Sequence, residues 1–78
     1  MSERIAMVGA GYWAQFQLEG WRDAGSPVVA LCNRSAANAA PLAERFGVPR
    51  CFTNLAEMLD AVRPTLVDVV LPPEAQEV

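Results

Sequence analysis

The sequence contains no histidine and no lysine, and all six of its cations are arginines. These absences together exclude histidine–metal sites, Ser–His nucleophile pairs and lysine catalysis. Only two cysteines are present, Cys32 and Cys51, nineteen positions apart and without Cys-x-x-Cys spacing. Two soft ligands do not make a metal site. Each cysteine adjoins an apolar run, so both are expected to be buried free thiols in a reducing cytoplasm. No apolar run approaches the ~18 residues that a membrane-spanning helix needs. No basic amino-terminal stretch leads into an apolar core, so no secretory signal is expected. The net charge of −3 carries no basic block, which argues against a nucleic-acid partner.

What remains is of globular composition, 53% apolar and 19% charged, outside the range of disordered chains. Seventy-eight residues amount to about half of one average domain. Two domains are thereby ruled out, and a complete enzyme active site is not expected.

Periodicity divides the chain into alternating strands and helices. Ile5-Ala6-Met7-Val8 is a continuous apolar run ending at Gly9, the pattern of a strand buried on both faces. Residues 12–24 change to helical spacing, with Ala14, Leu18 and Trp21 on one face, and Gly25 is placed to end that helix in a left-handed conformation. Val28–Cys32 is a second strand. Ala36, Ala39, Ala40, Ala43 and Phe46 form the next helical stripe, closed by Gly47. Pro41 would cost about 3 kcal/mol inside a helix, so the regular helix is predicted to start near Asn38 as N-cap, with Pro41 in its first turn. Cys51-Phe52 reads as a brief third strand. Asn54 and Glu57 have N-cap and N3 spacing for a helix carrying Leu55, Met58, Leu59 and Val62. Leu66–Leu71 is the fourth strand, stopped by Pro72-Pro73, and Glu74–Val78 resembles the first turn of another helix.

Strands alternating with ten-residue helices predict an α/β fold with a parallel sheet. Right-handed crossovers place the first two helices on one face and the third on the other, giving a Rossmann-like strand order 3-2-1-4. The expectation is a Rossmann domain over residues 1–78, incomplete at its carboxyl end, with part of one sheet face and one apolar edge left wet and the substrate domain absent.

Gly9-Ala10-Gly11-Tyr12-Trp13-Ala14 reads G-x-G-x-x-A in the context that gives it meaning: a strand before it, a helix after it and a second strand following. Gly9 lets the chain turn off the strand. Gly11, lacking a side chain, lets the backbone approach a pyrophosphate, and Ala14 is small enough for close helix–strand contact. The free N–H groups at the helix start meet the phosphate charge. The alternative is a merely tight strand–helix turn. Tyr12 and Trp13 flank the turn; helix packing is the alternative for Trp13. The ribose selector should lie roughly twenty residues on, at the end of the second strand, where Asn33 and Arg34 stand. Asn33 offers a neutral hydrogen-bonding group in place of the usual acid. Arg34 offers positive charge to a 2′-phosphate or a plane to adenine. The alternatives are a turn residue and a solvated loop arginine. The pair tips the cofactor expectation toward NADP over NAD, with dual use compatible. Leu71-Pro72-Pro73 leaves the fourth strand at the switch point as a rigid, extended loop, a wall for the cofactor's ribose and nicotinamide or simply a strand terminator. Asp68, inside the fourth strand, is expected to be a polar residue satisfied by a partner rather than a catalytic acid, and Trp21 a core residue.

With these elements placed, the sequence resembles the amino-terminal part of the Gfo/Idh/MocA family of oxidoreductases (glucose–fructose oxidoreductase, inositol dehydrogenase and rhizopine-catabolism proteins). The matching runs are Ile5–Ala14 (IAMVGAGYWA), Val28–Arg34 (VVALCNR), Ala43–Val48 (AERFGV), Thr53–Leu59 (TNLAEML) and Val67–Pro73 (VDVVLPP). The glycine turn is shared by Rossmann proteins generally; its combination with the ERFGV run and the double proline is more specific. The resemblance implies a cytoplasmic NAD(P)-dependent oxidoreductase acting on a sugar, inositol or related polyol. It implies cofactor contacts at Gly9, Gly11, Tyr12, Trp13, Asn33, Arg34, Leu71 and Pro72, and no catalytic or metal-binding residue within these 78. It further implies a Glu-Lys-Pro segment and a larger second domain beyond Val78, carrying the small-molecule substrate pocket and a homo-oligomer interface. Gln17 and Gln76 stand where many members have histidine; glutamine keeps a hydrogen bond but does not titrate, so neither is read as an acid or base. The same sheet also serves non-catalytic dinucleotide sensors, the alternative that the resemblance leaves standing.

Overall fold

The computed structural model describes residues 3–70. Within them each apolar run is a strand: β1 (Ile5–Val8), β2 (Val28–Cys32), β3 (Arg50–Phe52) and β4 (Leu66–Val69). The helices between them are α1 (Ala14–Asp23), α2 (Ala36–Phe46) and α3 (Leu55–Val62). All neighbouring strands are parallel and the order is β3-β2-β1-β4, as the alternation of strand and helix requires. The predicted final helical turn and Leu71 lie outside the described residues. No helix among those described is long and apolar enough to cross a membrane.

The central strand β1 explains the layering. Ile5, Ala6 and Met7 are fully buried, and a strand's side chains alternate between faces. Ile5 and Met7 join Val28 and Leu31 against Ala14, Leu18, Ala39 and Ala43 of α1 and α2. Ala6, Ala30 and Cys32 face the other way and pack on Met58 of α3. The two alanines leave the room that the long, adaptable methionine fills. Beside this core, Val67 and Val69 of β4 and Leu55 and Leu59 of α3 are exposed, the wet apolar face expected of the pattern.

The helix ends follow their local chemistry. Gly25, at φ +80°, closes α1 with Ser26 N–H donating to the Trp21 carbonyl and Gly25 N–H to that of Arg22, each at 3.0 Å. Asn54 caps α3, its Oδ1 accepting from Glu57 N–H at 2.9 Å. Helix α2 differs from expectation: it starts at Ala36, with Ser35 as N-cap accepting from Asn38 N–H, and Pro41 lies inside it. Proline there frees the carbonyl four residues earlier, on Ala37. Ala37 and Pro41 are both exposed, so that carbonyl faces water and the penalty of an interior proline is reduced.

Two further expectations separate. Cys32 is a buried free thiol, but Cys51 is exposed: β3 is the sheet's edge, and only Phe52 of its three residues is partly covered. Asp68 is satisfied as expected. Its Oδ2 accepts from Trp21 Nε1 and Gln17 Nε2, both at 2.8 Å, tying α1 to β4, while Trp21 packs against the core. Met58→Ala should lower stability in urea unfolding of the complete chain by about 2–5 kcal/mol, whereas Val69→Ala, on an exposed position, should change it by less than about 1 kcal/mol; equal losses would contradict this core assignment.

Candidate dinucleotide site

The strand–helix turn is braced on both sides where β1 ends. Gly9 N–H donates to the Cys32 carbonyl and Val70 N–H to that of Val8, each at 2.8 Å. Gly9 sits at φ +112°, and a Cβ there would drive into the Val70 carbonyl oxygen. Glycine is therefore required twice over, by backbone angle and by the close passage of β4. Gly11 differs. Its backbone is not left-handed, and a Cβ there would meet nothing within 4 Å. Nothing among the described residues demands glycine at position 11; what its bare backbone leaves is open space in front of α1.

That space faces a turn and helix start with bare donors: Ala14 N–H donates to the Gly11 carbonyl and Phe16 N–H to that of Trp13, at 3.1 and 3.2 Å, while the N–H groups of Gly11, Tyr12, Trp13 and Gln15 have no acceptor among the described residues. The N-cap position of α1 is Trp13, which makes no side-chain capping bond, and the first turn holds no acid. The other two helices are capped by their own Ser35 and Asn54. The bare N–H groups of the turn and the positive end of the α1 dipole are left for an anion. A diphosphate fits this arrangement on grounds of charge, donors and room.

A cavity of about 620 Å³ opens beside the turn, at the carboxyl ends of β1 and β2, lined by Val8, Gly9, Cys32, Asn33, Arg34, Thr53, Asn54 and Leu55. Among the described residues its lining holds one cation and no carboxylate. Arg34 is exposed and makes no hydrogen bond or ion pair among the described residues. Burial pushes the Cys32 thiol above its ordinary pKa, so it stands as a neutral, unreactive wall. Asn33 is held twice: its backbone N–H donates to the Phe52 carbonyl at 3.0 Å, and its Nδ2 donates to the Ser35 carbonyl at 3.1 Å.

The structure thus brings Gly9, Asn33 and Arg34 to one cavity. Gly11, Tyr12 and Trp13 lie outside its lining, at the start of α1. Tyr12 and Trp13 join Phe16 in an exposed aromatic cluster, with ring centroids 5.3, 5.4 and 6.0 Å apart. Leu71 and Pro72 fall outside the described residues. Sequence reasoning missed Thr53, Asn54 and Leu55 as lining residues. The signal was available: in the order 3-2-1-4 the loop after β3 must lie beside the loop after β2, so the N-cap of α3 faces the same cavity.

These features coincide with a family pattern. Residues 3–77 match the oxidoreductase family with NAD-binding Rossmann fold known as Gfo/Idh/MocA. The chain belongs to that family. As a Gfo/Idh/MocA chain it is 32% identical over 65 residues to D-apiose dehydrogenase of Paraburkholderia graminis, covering 82% of this chain and 17% of that enzyme. Its fold is that of an oxidoreductase from Agrobacterium radiobacter solved with NAD+, L-tartaric acid and magnesium (TM-score 0.85, 22% identity, covering 96% of this chain and 22% of that one). It is also similar to the WlbA dehydrogenase from Chromobacterium violaceum solved with NADH and UDP-GlcNAcA (TM-score 0.79, 25% identity, covering 91% and 21%). The chain therefore spans about a fifth of the length of these relatives and carries the family's NAD-binding Rossmann fold.

The two turn glycines should separate cleanly. Gly9→Ala is expected to cost about 3 kcal/mol in chemical unfolding, through the Val70 contact and the left-handed angle, and Gly11→Ala less than about 1 kcal/mol. Equal sensitivity would contradict the geometry of the turn.

Proposed function

We propose that these residues form the dinucleotide-gripping part of a cytoplasmic NAD(P)-dependent oxidoreductase that acts on a sugar, inositol or related polyol or carbonyl compound. One observation carries this reading: an uncapped helix start, a side-chain-free Gly11 before it and a cavity with a free arginine but no acid meet at the carboxyl ends of β1 and β2. This is where ligands bind in open α/β sheets. The relatives that act on D-apiose or were solved with a UDP-sugar acid support the substrate class.

Each residue then has a task. Gly9 keeps the turn close to the sheet, and Gly11 lets a diphosphate reach the amides of α1. Tyr12 and Trp13 edge the cleft. Asn33 and Arg34 form the adenosine-ribose end of the cavity, and Leu71 and Pro72 wall the nicotinamide side. The bound nicotinamide ring supplies the hydride chemistry. With neither histidine nor lysine in the chain, the proton on the substrate oxygen is handled by groups of a second, substrate-binding domain, through which the whole protein forms a homo-oligomer. These 78 residues alone should bind nucleotide without turning over any member of a sugar and polyol panel. The preferred cofactor is NADP(H), with NAD(H) usable: among the described residues no lining carboxylate repels a 2′-phosphate and Arg34 has no other partner.

Fluorescence titration with NADPH and NADH tests the reading. Gly11→Val should abolish measurable binding of both while the chain stays folded by circular dichroism. Arg34→Ala should weaken NADPH about tenfold, ~1.4 kcal/mol, and NADH much less. Undiminished binding by Gly11→Val would overturn the site, and equal losses with Arg34→Ala would overturn the cofactor preference.

A further inference from the structure

We propose that Asn33 is a positioning residue that presents Arg34 to the ribose end of the cavity, and that a carboxylate in its place would dismantle the site instead of retuning it for NAD(H). The proposal rests on the dinucleotide reading above and deepens it. Asn33 is bound to the sheet through its backbone N–H, which donates to Phe52 and extends the β2–β3 ladder one residue past Cys32. Its side-chain Nδ2 donates to the Ser35 carbonyl. Ser35 is in turn fixed to α2: its carbonyl accepts from Ala39 N–H at 3.2 Å, and its Oγ accepts from Asn38 N–H at 3.3 Å. Arg34 is thus the middle residue of a short loop strung between a sheet-anchored and a helix-anchored neighbour. Its own side chain, exposed and unbonded among the described residues, has no other restraint.

The chemistry of that tether is one-sided. A backbone carbonyl only accepts, so the group facing Ser35 must be the amide NH₂, and an ionised carboxylate, which only accepts, cannot replace it. An acid at the end of the second strand ordinarily favours NAD by accepting from both ribose hydroxyls. In this chain it would set a negative charge against the Ser35 carbonyl and open the loop that carries Arg34.

The test uses the complete chain, titrated with NADH and NADPH, with melting curves to confirm folding. Asn33→Ala and Asn33→Asp should each weaken NADPH about tenfold, and Asn33→Asp should weaken NADH at least as much as Asn33→Ala does. Asn33→Ser, whose hydroxyl still donates, should recover part of the loss. The Asn33→Ala/Arg34→Ala double variant should bind NADPH within about twofold of the weaker single variant, because Arg34 is no longer presented once Asn33 is gone. A merely structural residue would give multiplying losses instead, and that result would overturn the proposal. A gain in NADH affinity by Asn33→Asp would overturn it too, marking position 33 as a direct selector. Should Asn33→Asp fail to fold, the neutral variants decide alone. Failure of the unaltered chain to bind either nucleotide would remove the dinucleotide reading itself, a result distinct from both of these.

Discussion

The structure turns on the absence of a side chain at Gly9. The first strand is the centre of the sheet, with β2 on one side and β4 on the other, and its end is bonded to both. The chain must leave between them, and the Val70 carbonyl occupies the place where any Cβ would go. Because the exit is that narrow, α1 begins immediately above the sheet and its first amides stand beside the ends of β1 and β2. A wider turn would move those donors away from the cavity. The fold's tightest point and its candidate binding point are therefore the same few residues.

Helix capping shows how the chain distributes its donors. Where a helix start has only structural work, Ser35 and Asn54 satisfy its amides from within. Where a phosphate is proposed to bind, no side chain caps the helix, its first turn holds no acid, and Gly11 in the turn before it has no Cβ. Unspent donors cost little when exposed to water and remain available to an anion. The cavity follows the same economy of charge: among the described residues one arginine and no carboxylate face it, while Asp68, the acid within the sheet, is turned to α1 and bonded to Trp21 and Gln17.

Much of this was legible in the residues. Runs such as Ile5–Val8 and Val28–Cys32, alternating with amphipathic helices, dictate a parallel sheet, and right-handed crossovers then leave one order for four strands. Gly9 was readable because the fold forces a left-handed backbone and a close neighbour there, and Asn33 and Arg34 were readable as cavity-lining positions because they follow directly on the second strand. What was less legible depended on tertiary context. Pro41 is tolerated inside α2 because it and Ala37 face water. Cys51 is exposed because β3 is an edge, a fact that belongs to the sheet and not to the hexapeptide around it. The lining by Thr53, Asn54 and Leu55 arises only when the β2 and β3 loops are set side by side, and the tether from Asn33 to Ser35 needs side-chain geometry that no spacing encodes.

The central claim is that backbone amides bared at the start of α1 hold a dinucleotide diphosphate whose adenosine occupies the neighbouring cavity. The most direct measurement is an amide-resolved NMR titration of the ¹⁵N-labelled chain with NADPH. The account predicts saturable shifts at Gly11, Tyr12 and Trp13 together with Asn33, Arg34, Thr53 and Asn54, all fitting one dissociation constant. Shifts confined to the exposed apolar face of α3 and β4, or no saturable shift in the glycine turn, would contradict it.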